Sequence, residues 1–240
     1  MKRLVRIVEI NLNSILRRVR IEFFNIVGEL PWIFLGFTVI TAVLVSAGYD
    51  NPERLTWLSM SLSVLLPLAI SIAGNTVVLR EFSGNSYQFS MSRQRIFTLW
   101  LWRLGMVVFS TALYIAIILG AFNLFYPQAA SAEMIFAFLV PNLLMIALMS
   151  FVSVLTASST AGMIIGLFFW NYCVLMPGSA LKILKPRFFP FADFAISRGL
   201  MPAESLWENK LALSLVTLGL FVLTGWQYWN FDRFNATSIE

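Results

Sequence analysis

The sequence predicts an all-α membrane protein with six transmembrane helices. Of its 240 residues, 59% are hydrophobic and only 12% are charged, against roughly 25% charged residues in ordinary soluble domains. The mean hydropathy is +0.79, and several uncharged stretches are long enough for a tilted helix to cross a bilayer. A soluble fold would have to cover these stretches with 17 basic and 12 acidic side chains, which are too few.

Residues 1–29 form the first predicted unit, an amphipathic interfacial helix. Apolar residues recur there at steps of three and four, and basic residues recur on the opposite side. We expect this helix to lie in the membrane interface and to bind anionic headgroups. The same periodicity also suits a helix packed on a soluble partner. The predicted anchoring residues are Arg3, Arg6, Arg17 and Arg20.

Residues 30–231 form the predicted six-span domain, and residues 232–240 form a short cytoplasmic tail. The stretch from Met134 to Leu181 is too long for one helix, and the small, polar run Thr156 to Gly162 predicts a tight turn inside it. The spans are therefore expected within residues 30–49, 55–79, 104–132, 134–156, 162–181 and 211–231.

Basic residues predict the orientation of these spans. With six spans, eleven lysines and arginines fall on the side of the two termini and six on the other. Because cytoplasmic segments carry the excess of basic residues, both termini are predicted to be cytoplasmic. The net charge of +5 is assigned to membrane anchoring and not to nucleic acid, since the basic residues lie beside apolar segments.

The segment 178–209, before the last span, is apolar in short runs that cannot cross a membrane. Pro186, Pro190 and Pro202 break it, so it is predicted to form two short re-entrant or interfacial helices. An ordinary outer loop is the alternative. Its acidic residues, Asp193, Glu204 and Glu208, lie among lysines and arginines and predict a solvated, salt-paired surface.

The composition excludes several chemistries. The chain has no histidine and a single cysteine, Cys173, which lies in an apolar segment. There is therefore no Ser-His-Asp or Cys-His nucleophile pair, and no ordinary zinc site is expected. The sequence also lacks a G-x-x-x-x-G-K-[ST] phosphate loop, so the chain does not supply a nucleotide site of that type.

The most polar long run of the chain lies between the second and third predicted spans, on the predicted cytoplasmic side. It reads LREFSGNSYQFSMSRQRIF, from Leu79 to Phe97, and is longer than a simple turn requires. Its apolar residues are spaced so that a short amphipathic helix could present a face to a partner protein. A plain interfacial loop is the alternative. This run is called the connector below.

The connector resembles the first cytoplasmic segment of type 2 permease subunits of bacterial ATP-binding-cassette exporters. In that family an acidic residue ends the second span, a glycine follows three positions later, and a Ser-Arg pair precedes the third span. Here these positions are Glu81, Gly84 and Ser92-Arg93. The order of interfacial helix, six spans, tight turn, broken outer segment and last span is also similar to the family.

The resemblance implies a cytoplasmic coupling helix that docks on a separate ATP-binding-cassette ATPase subunit. ATP and Mg would then belong to that subunit, with no cofactor in this chain and no enzyme activity of its own. A second permease subunit, either a copy or a relative, would complete the pathway. The implied docking residues are Glu81, Phe82, Gly84, Tyr87, Ser92 and Arg93. The candidate pathway-lining residues are Thr38, Thr41, Asn75, Asn171 and Tyr172.

The expected function is ATP-driven export of an amphipathic or hydrophobic cargo, such as a peptide, a lipid-linked molecule or a drug, across a bacterial-type plasma membrane. The middles of the spans carry no Asp, Glu, Lys or Arg, which argues against an ion-coupled transporter. The alternatives are a membrane-embedded lipid-modifying enzyme and a non-transporting immunity or scaffold membrane protein.

Overall fold

Helices make up almost all of the described chain. The computed structural model describes residues 30–49, 51–78, 96–124 and 132–237, and no strand occurs within these ranges. A π-helical turn, Ser61–Leu65, joins the second helix to the third, and a 3₁₀ turn, Ala203–Ser205, precedes the last. The helices are α1 Leu30–Ser46, α2 Asn51–Met60, α3 Leu66–Val78, α4 Ile96–Asn123, α5 Ala132–Thr156, α6 Ser159–Leu175, α7 Pro177–Phe188, α8 Ala192–Ser197 and α9 Leu206–Thr237.

The described helices form a membrane-protein-like architecture with four or five candidate spans. Four stretches are long and apolar enough to cross a membrane, namely Glu53–Ile72, Trp100–Asn123, Glu133–Thr156 and Ala203–Asn230. Helices α6 and α7 qualify only together, and they are bent by 102° at the break between them. Helix α1 is apolar but has 17 residues, roughly 26 Å against a hydrocarbon core of about 30 Å. The count of six spans stays a prediction.

Several helix ends differ from the predicted span ends. The spans were predicted to stop at charged residues, whereas some helices continue past them. Helix α4 begins at Ile96 and not near Leu104, so that Arg103 lies inside it and is 8% exposed. Helix α9 begins at Leu206 and includes Lys210. Both charged side chains lie near one end of their helices, where a membrane interface tolerates them. Helix α6 ends at Leu175, because Pro177 begins a new helix in another direction.

Helix α5 is the centre of the bundle. It packs against α3, α4, α6 and α9. Within the candidate spans, 61% of the apolar window of α5 is buried, compared with 33% for α4 and 28% for α9. Helices α4 and α9 therefore present large apolar faces outward, whereas α5 is enclosed by its neighbours.

The tight turn expected between residues 156 and 162 is confirmed. Ala157 has a positive φ of 49°, and Ser158 caps α6 by accepting a hydrogen bond from the Ala161 N–H at 3.3 Å. The two helices then pack closely, because Gly162 and Gly166 have no side chains. A Cβ atom on Gly162 would lie 1.9 Å from the Ser153 Oγ and 2.5 Å from the Met149 carbonyl oxygen.

The helix contacts define two ends of the bundle. Arg54 Nε donates to the Gly48 carbonyl oxygen at 3.0 Å and closes the loop from α1 to α2. Helix α8 packs against α2, so residues 177–198, called the elbow below, lie at the end where the candidate span Glu53–Ile72 starts. Helix α3 finishes at the opposite end, here called the connector end, because the connector follows it. The elbow and the connector thus belong to opposite ends.

We expect Gly162→Ala to lower the thermal midpoint of the protein in mild detergent. The added Cβ would overlap a backbone carbonyl, so α5 and α6 would have to separate, and overpacking of this kind destabilises by about 1–3 kcal/mol. Gly120→Ala is the matched control, since no atom lies within 4 Å of the position of its Cβ. Equal midpoints for the two variants, measured by intrinsic tryptophan fluorescence, would contradict the close packing.

Candidate functional site

The implied docking residues and the anchoring arginines lie outside the described residues. Glu81, Phe82, Gly84, Tyr87, Ser92 and Arg93 fall between α3 and α4, and Arg3, Arg6, Arg17 and Arg20 precede α1. The structure describes the two helices on either side of the connector. Helix α3 ends at Val78 and α4 begins at Ile96, so the connector is attached to two helices of the same bundle.

Two of the candidate pathway residues lie on α1 and differ in their environment. Thr38 donates to the Phe34 carbonyl oxygen at 2.7 Å, and its hydroxyl lies 3.1 Å from the Tyr114 hydroxyl of α4. The Phe34 and Tyr114 rings stack with centroids 4.5 Å apart. Thr38 therefore joins two helices, as polar groups in spans commonly do. Thr41, in contrast, is buried, and its hydroxyl has no hydrogen-bond partner among the described atoms.

The other pathway candidates lie elsewhere in the bundle. Asn171 is exposed on α6, whereas Tyr172 is half-buried and packs against a second core that includes Cys173 and Phe191. Asn75 lies in α3, but its side chain is outside the described part of the structure. The described candidates thus lie on α1 and α6, and their role in a pathway stays a prediction.

The π-helical turn between α2 and α3 is a polar feature that the sequence analysis missed. The Leu66 N–H bonds to the Ser61 carbonyl, five residues back. In the same five-residue spacing, the next carbonyl, that of Leu62, would bind the N–H of residue 67. Residue 67 is a proline and has no N–H. Asn142 of α5 replaces it, because its Nδ2 donates to the Leu62 carbonyl at 3.3 Å.

A second side chain also donates a hydrogen bond to a carbonyl of this turn. Trp170 Nε1 of α6 donates to the Val64 carbonyl oxygen at 2.8 Å. Asn142 Nδ2 also donates to Phe138 of its own helix at 2.6 Å. The π-helical turn is therefore bound from two helices at once, which fixes the junction of α2 and α3 against both α5 and α6. Pro67, inside an otherwise regular apolar stretch, was the sequence signal for it.

Aromatic rings join the start of α4 to the last helix at the connector end. The centroids of Phe97 and Trp229 are 5.7 Å apart in an edge-on arrangement. Trp100 and Tyr228 stack at 5.4 Å. A Cβ on Gly225 would lie 3.2 Å from the Trp100 ring, so the glycine permits this close approach. These four aromatic residues are called the aromatic cluster below, and they hold the helix that follows the connector against α9.

The elbow is held by a buried ion pair and a buried amide. Lys210 of α9 is fully buried, and its Nζ lies 2.5 Å from an Asp193 carboxylate oxygen of α8. Asn209 Nδ2 donates to the carbonyl oxygens of Pro186 and Phe189 at 2.7 and 2.8 Å. The predicted solvated surface is therefore wrong for Asp193, whose side chain is 13% exposed.

Arg187 and Glu208 match the prediction of a solvated, salt-paired surface. Arg187 Nε lies 3.1 Å from a Glu208 carboxylate oxygen, with both side chains largely exposed. Lys185 has a positive φ of 59°, which is strained for a residue with a side chain and marks the kink before Pro186. The amide of Asn209 binds the carbonyls just after this kink, so it compensates for hydrogen bonds that the kink interrupts.

A groove of about 230 Å³ lies between α5 and α9. Its lining is almost entirely apolar, with the hydroxyl groups of Ser214 and Thr217 as polar exceptions. Ser214 donates to the Lys210 carbonyl, whereas the buried Thr217 Oγ1 has no hydrogen-bond partner among the described atoms. The apolar lining consists of Phe136, Leu139, Val140, Leu143, Leu218 and Phe221.

Within the described ranges, no group of three His, Cys, Asp or Glu side chains could hold a metal ion. The carboxylates of Asp193 and Glu208 are bound to Lys210 and Arg187. Comparisons of the chain with protein-family models, curated proteins and solved structures give no match.

We expect Trp170→Phe to destabilise the protein more than Trp102→Phe. The first substitution removes the indole donor to the Val64 carbonyl of the π-helical turn, and the loss of one intramolecular hydrogen bond destabilises by about 0.5–1.5 kcal/mol. Trp102 is 52% exposed and serves as the control for the change of ring. The measurement is the thermal midpoint in mild detergent, and similar shifts for both variants would argue against the role of the indole N–H.

Lys210→Met is expected to be strongly destabilising, because it leaves the mostly buried carboxylate of Asp193 without its partner. Breaking a buried pair from one side destabilises by about 3–5 kcal/mol, whereas replacing both partners is often tolerated. The double substitution Lys210→Met/Asp193→Leu should therefore recover most of the lost stability. Arg187→Gln, in the exposed pair, should change stability by under about 1 kcal/mol. Additive effects of the two single substitutions would refute coupling across the pair.

Proposed function

We propose that this chain is the permease subunit of an ATP-driven exporter in a bacterial-type plasma membrane. In this proposal it crosses the membrane six times with both termini in the cytoplasm. It pairs with a second permease subunit, and a separate ATP-binding-cassette ATPase subunit binds ATP and Mg at the connector. The cargo is amphipathic or hydrophobic.

The connector carries this proposal. Its sequence resembles the coupling segment of type 2 permeases at Glu81, Gly84 and Ser92-Arg93. The helix that follows it is 28 residues long, roughly 42 Å, and the aromatic cluster fixes its first turns to α9. A force applied to the connector would thus act on α4 and α9 together.

The charge distribution of the described spans supports an external energy source. Their charged side chains lie near helix ends, as for Glu53, Arg103, Glu133 and Lys210. Transporters driven by protons or sodium keep ionisable groups at depth. A pathway without such groups fits a machine in which ATP hydrolysis outside the bilayer supplies the work.

The exposed face of α6 supports pairing with a second permease subunit. Ile164, Phe168 and Leu175 are exposed there, and Asn171 lies on the same face. An amide that faces hydrocarbon alone is unfavourable, since lipid tails offer no hydrogen bond. Contact with a second subunit, or with a water-filled pathway between two subunits, would satisfy Asn171.

The groove between α5 and α9 supports an apolar cargo. Its lining offers hydrophobic contact with few polar groups, which suits the hydrocarbon part of a lipid-linked molecule or an apolar peptide side chain. The aromatic side chains Phe136 and Trp207 stack with centroids 6.4 Å apart, and Phe136 also lines this groove.

The test is affinity purification of the chain from native membranes in mild detergent. We expect an ATPase subunit and ATP hydrolysis to accompany the wild type, and to be lost or uncoupled in the double variant Glu81→Arg/Phe82→Ala. The matched control is Glu204→Arg/Phe188→Ala, which makes the same changes in exposed residues near the elbow. It should retain the ATPase. If folded wild-type protein carries no ATPase, the proposal is wrong and the connector is a loop.

A further inference from the structure

Helix α7 turns away from the direction of α6 by 102°. If α6 runs along the membrane normal, α7 lies close to the plane of the bilayer surface. Its inward face packs into the second core through Ala180, Leu181 and Leu184. The outward face of α7 is therefore in the position of an interfacial helix at the depth of the lipid headgroups.

The charges of this region are unequally distributed. Within each of two ion pairs the opposite charges cancel. These are the buried pair of Lys210 with Asp193 and the exposed pair of Arg187 with Glu208. Lys182 and Lys185 remain exposed, and no carboxylate within the described ranges pairs with either of them. Surplus positive charge is thus concentrated on the outward side of α7.

Apolar side chains accompany these lysines. Ile183, between them, is 71% exposed, and Phe188 is 45% exposed. Lysine side chains can lie along apolar groups while the ammonium group reaches a polar layer. The backbone that carries the lysines is also fixed, because α7 packs into the second core before the kink and Asn209 binds the Pro186 carbonyl just after it. Little further ordering is needed when a ligand binds.

We propose that the outward face of α7 binds the phosphate groups of anionic membrane lipids, with Lys182 and Lys185 as the contacting side chains. Each ammonium group donates hydrogen bonds to phosphate oxygens, while Ile183 and Phe188 enter the acyl region beneath. The charge of the two lysines is complementary to an anionic headgroup, and a zwitterionic headgroup offers less net attraction. This binding does not depend on the transport function proposed above.

The test places a fluorophore on α7 itself. In a Cys173→Ala background, Ile183→Cys is labelled with bimane, and the protein is placed in nanodiscs of phosphatidylcholine. Phosphatidylglycerol or phosphatidylcholine carrying a nitroxide near the headgroup is then added as a quencher. We expect phosphatidylglycerol to reach half-quenching at a lower concentration than phosphatidylcholine does. The difference should be about fivefold for each contributing lysine, or roughly 25-fold for both.

Three variants test which side chains cause the preference for the anionic lipid. Lys182→Gln/Lys185→Gln should make the two lipids equivalent, whereas Lys182→Arg/Lys185→Arg should keep the preference. Arg187→Gln/Glu208→Gln, which removes a neutralised pair, should also keep it. Equal quenching by both lipids in the wild type, or no quenching by either, would overturn the proposal. Displacement of the lipid by inorganic phosphate would assign the surface to soluble phosphates instead, whereas retention of the lipid supports a headgroup site.

Discussion

A buried backbone carbonyl that has lost its N–H partner needs another hydrogen-bond donor, and this constraint organises the centre of the bundle. Pro67 creates such a position between α2 and α3, and the Leu62 and Val64 carbonyls of the π-helical turn bind side-chain donors. Asn142 and Trp170 supply them from α5 and α6. The central packing of three helices thus depends on two side-chain donors aimed at one irregular turn.

The same constraint recurs at the elbow, although the solution there uses charge. The kink at Lys185 interrupts the hydrogen bonds of α7, and Asn209 binds the carbonyls that follow it. Lys210 is next in the chain and pairs with Asp193. Two consecutive residues of α9 therefore hold both α7 and α8. Because buried pairs contribute more to specificity than to stability in several systems, the pair is best understood as fixing where the elbow lies.

The sequence predicted most of the helices because long apolar runs and turn residues leave few alternatives. The turn near Ala157 followed from small polar residues, and the broken segment followed from Pro186 and Pro190. What the sequence could not reveal was pairing across long chain distances. Lys210 and Asp193 were interpreted as solvent-exposed charges, because nothing local shows that two distant elements will enclose them. Asn142 and Trp170 were missed for the same reason, since their acceptors lie far away in the chain.

Of the candidate site, the sequence indicated the residue types but not the contacts of each side chain. Thr38 proved to be bound to Tyr114, and Asn171 proved to lie on an outward face. Helix α9 gives these separate parts a mechanical connection. At one end it is fixed to the elbow by Asn209 and Lys210, and at the other it is fixed to the start of α4 by the aromatic cluster. Between these ends it packs along the central helix α5. A displacement at the connector end would therefore be carried by a continuous helix to the elbow, because each attachment contains a buried contact, Trp100 with Tyr228 at one end and Lys210 with Asp193 at the other.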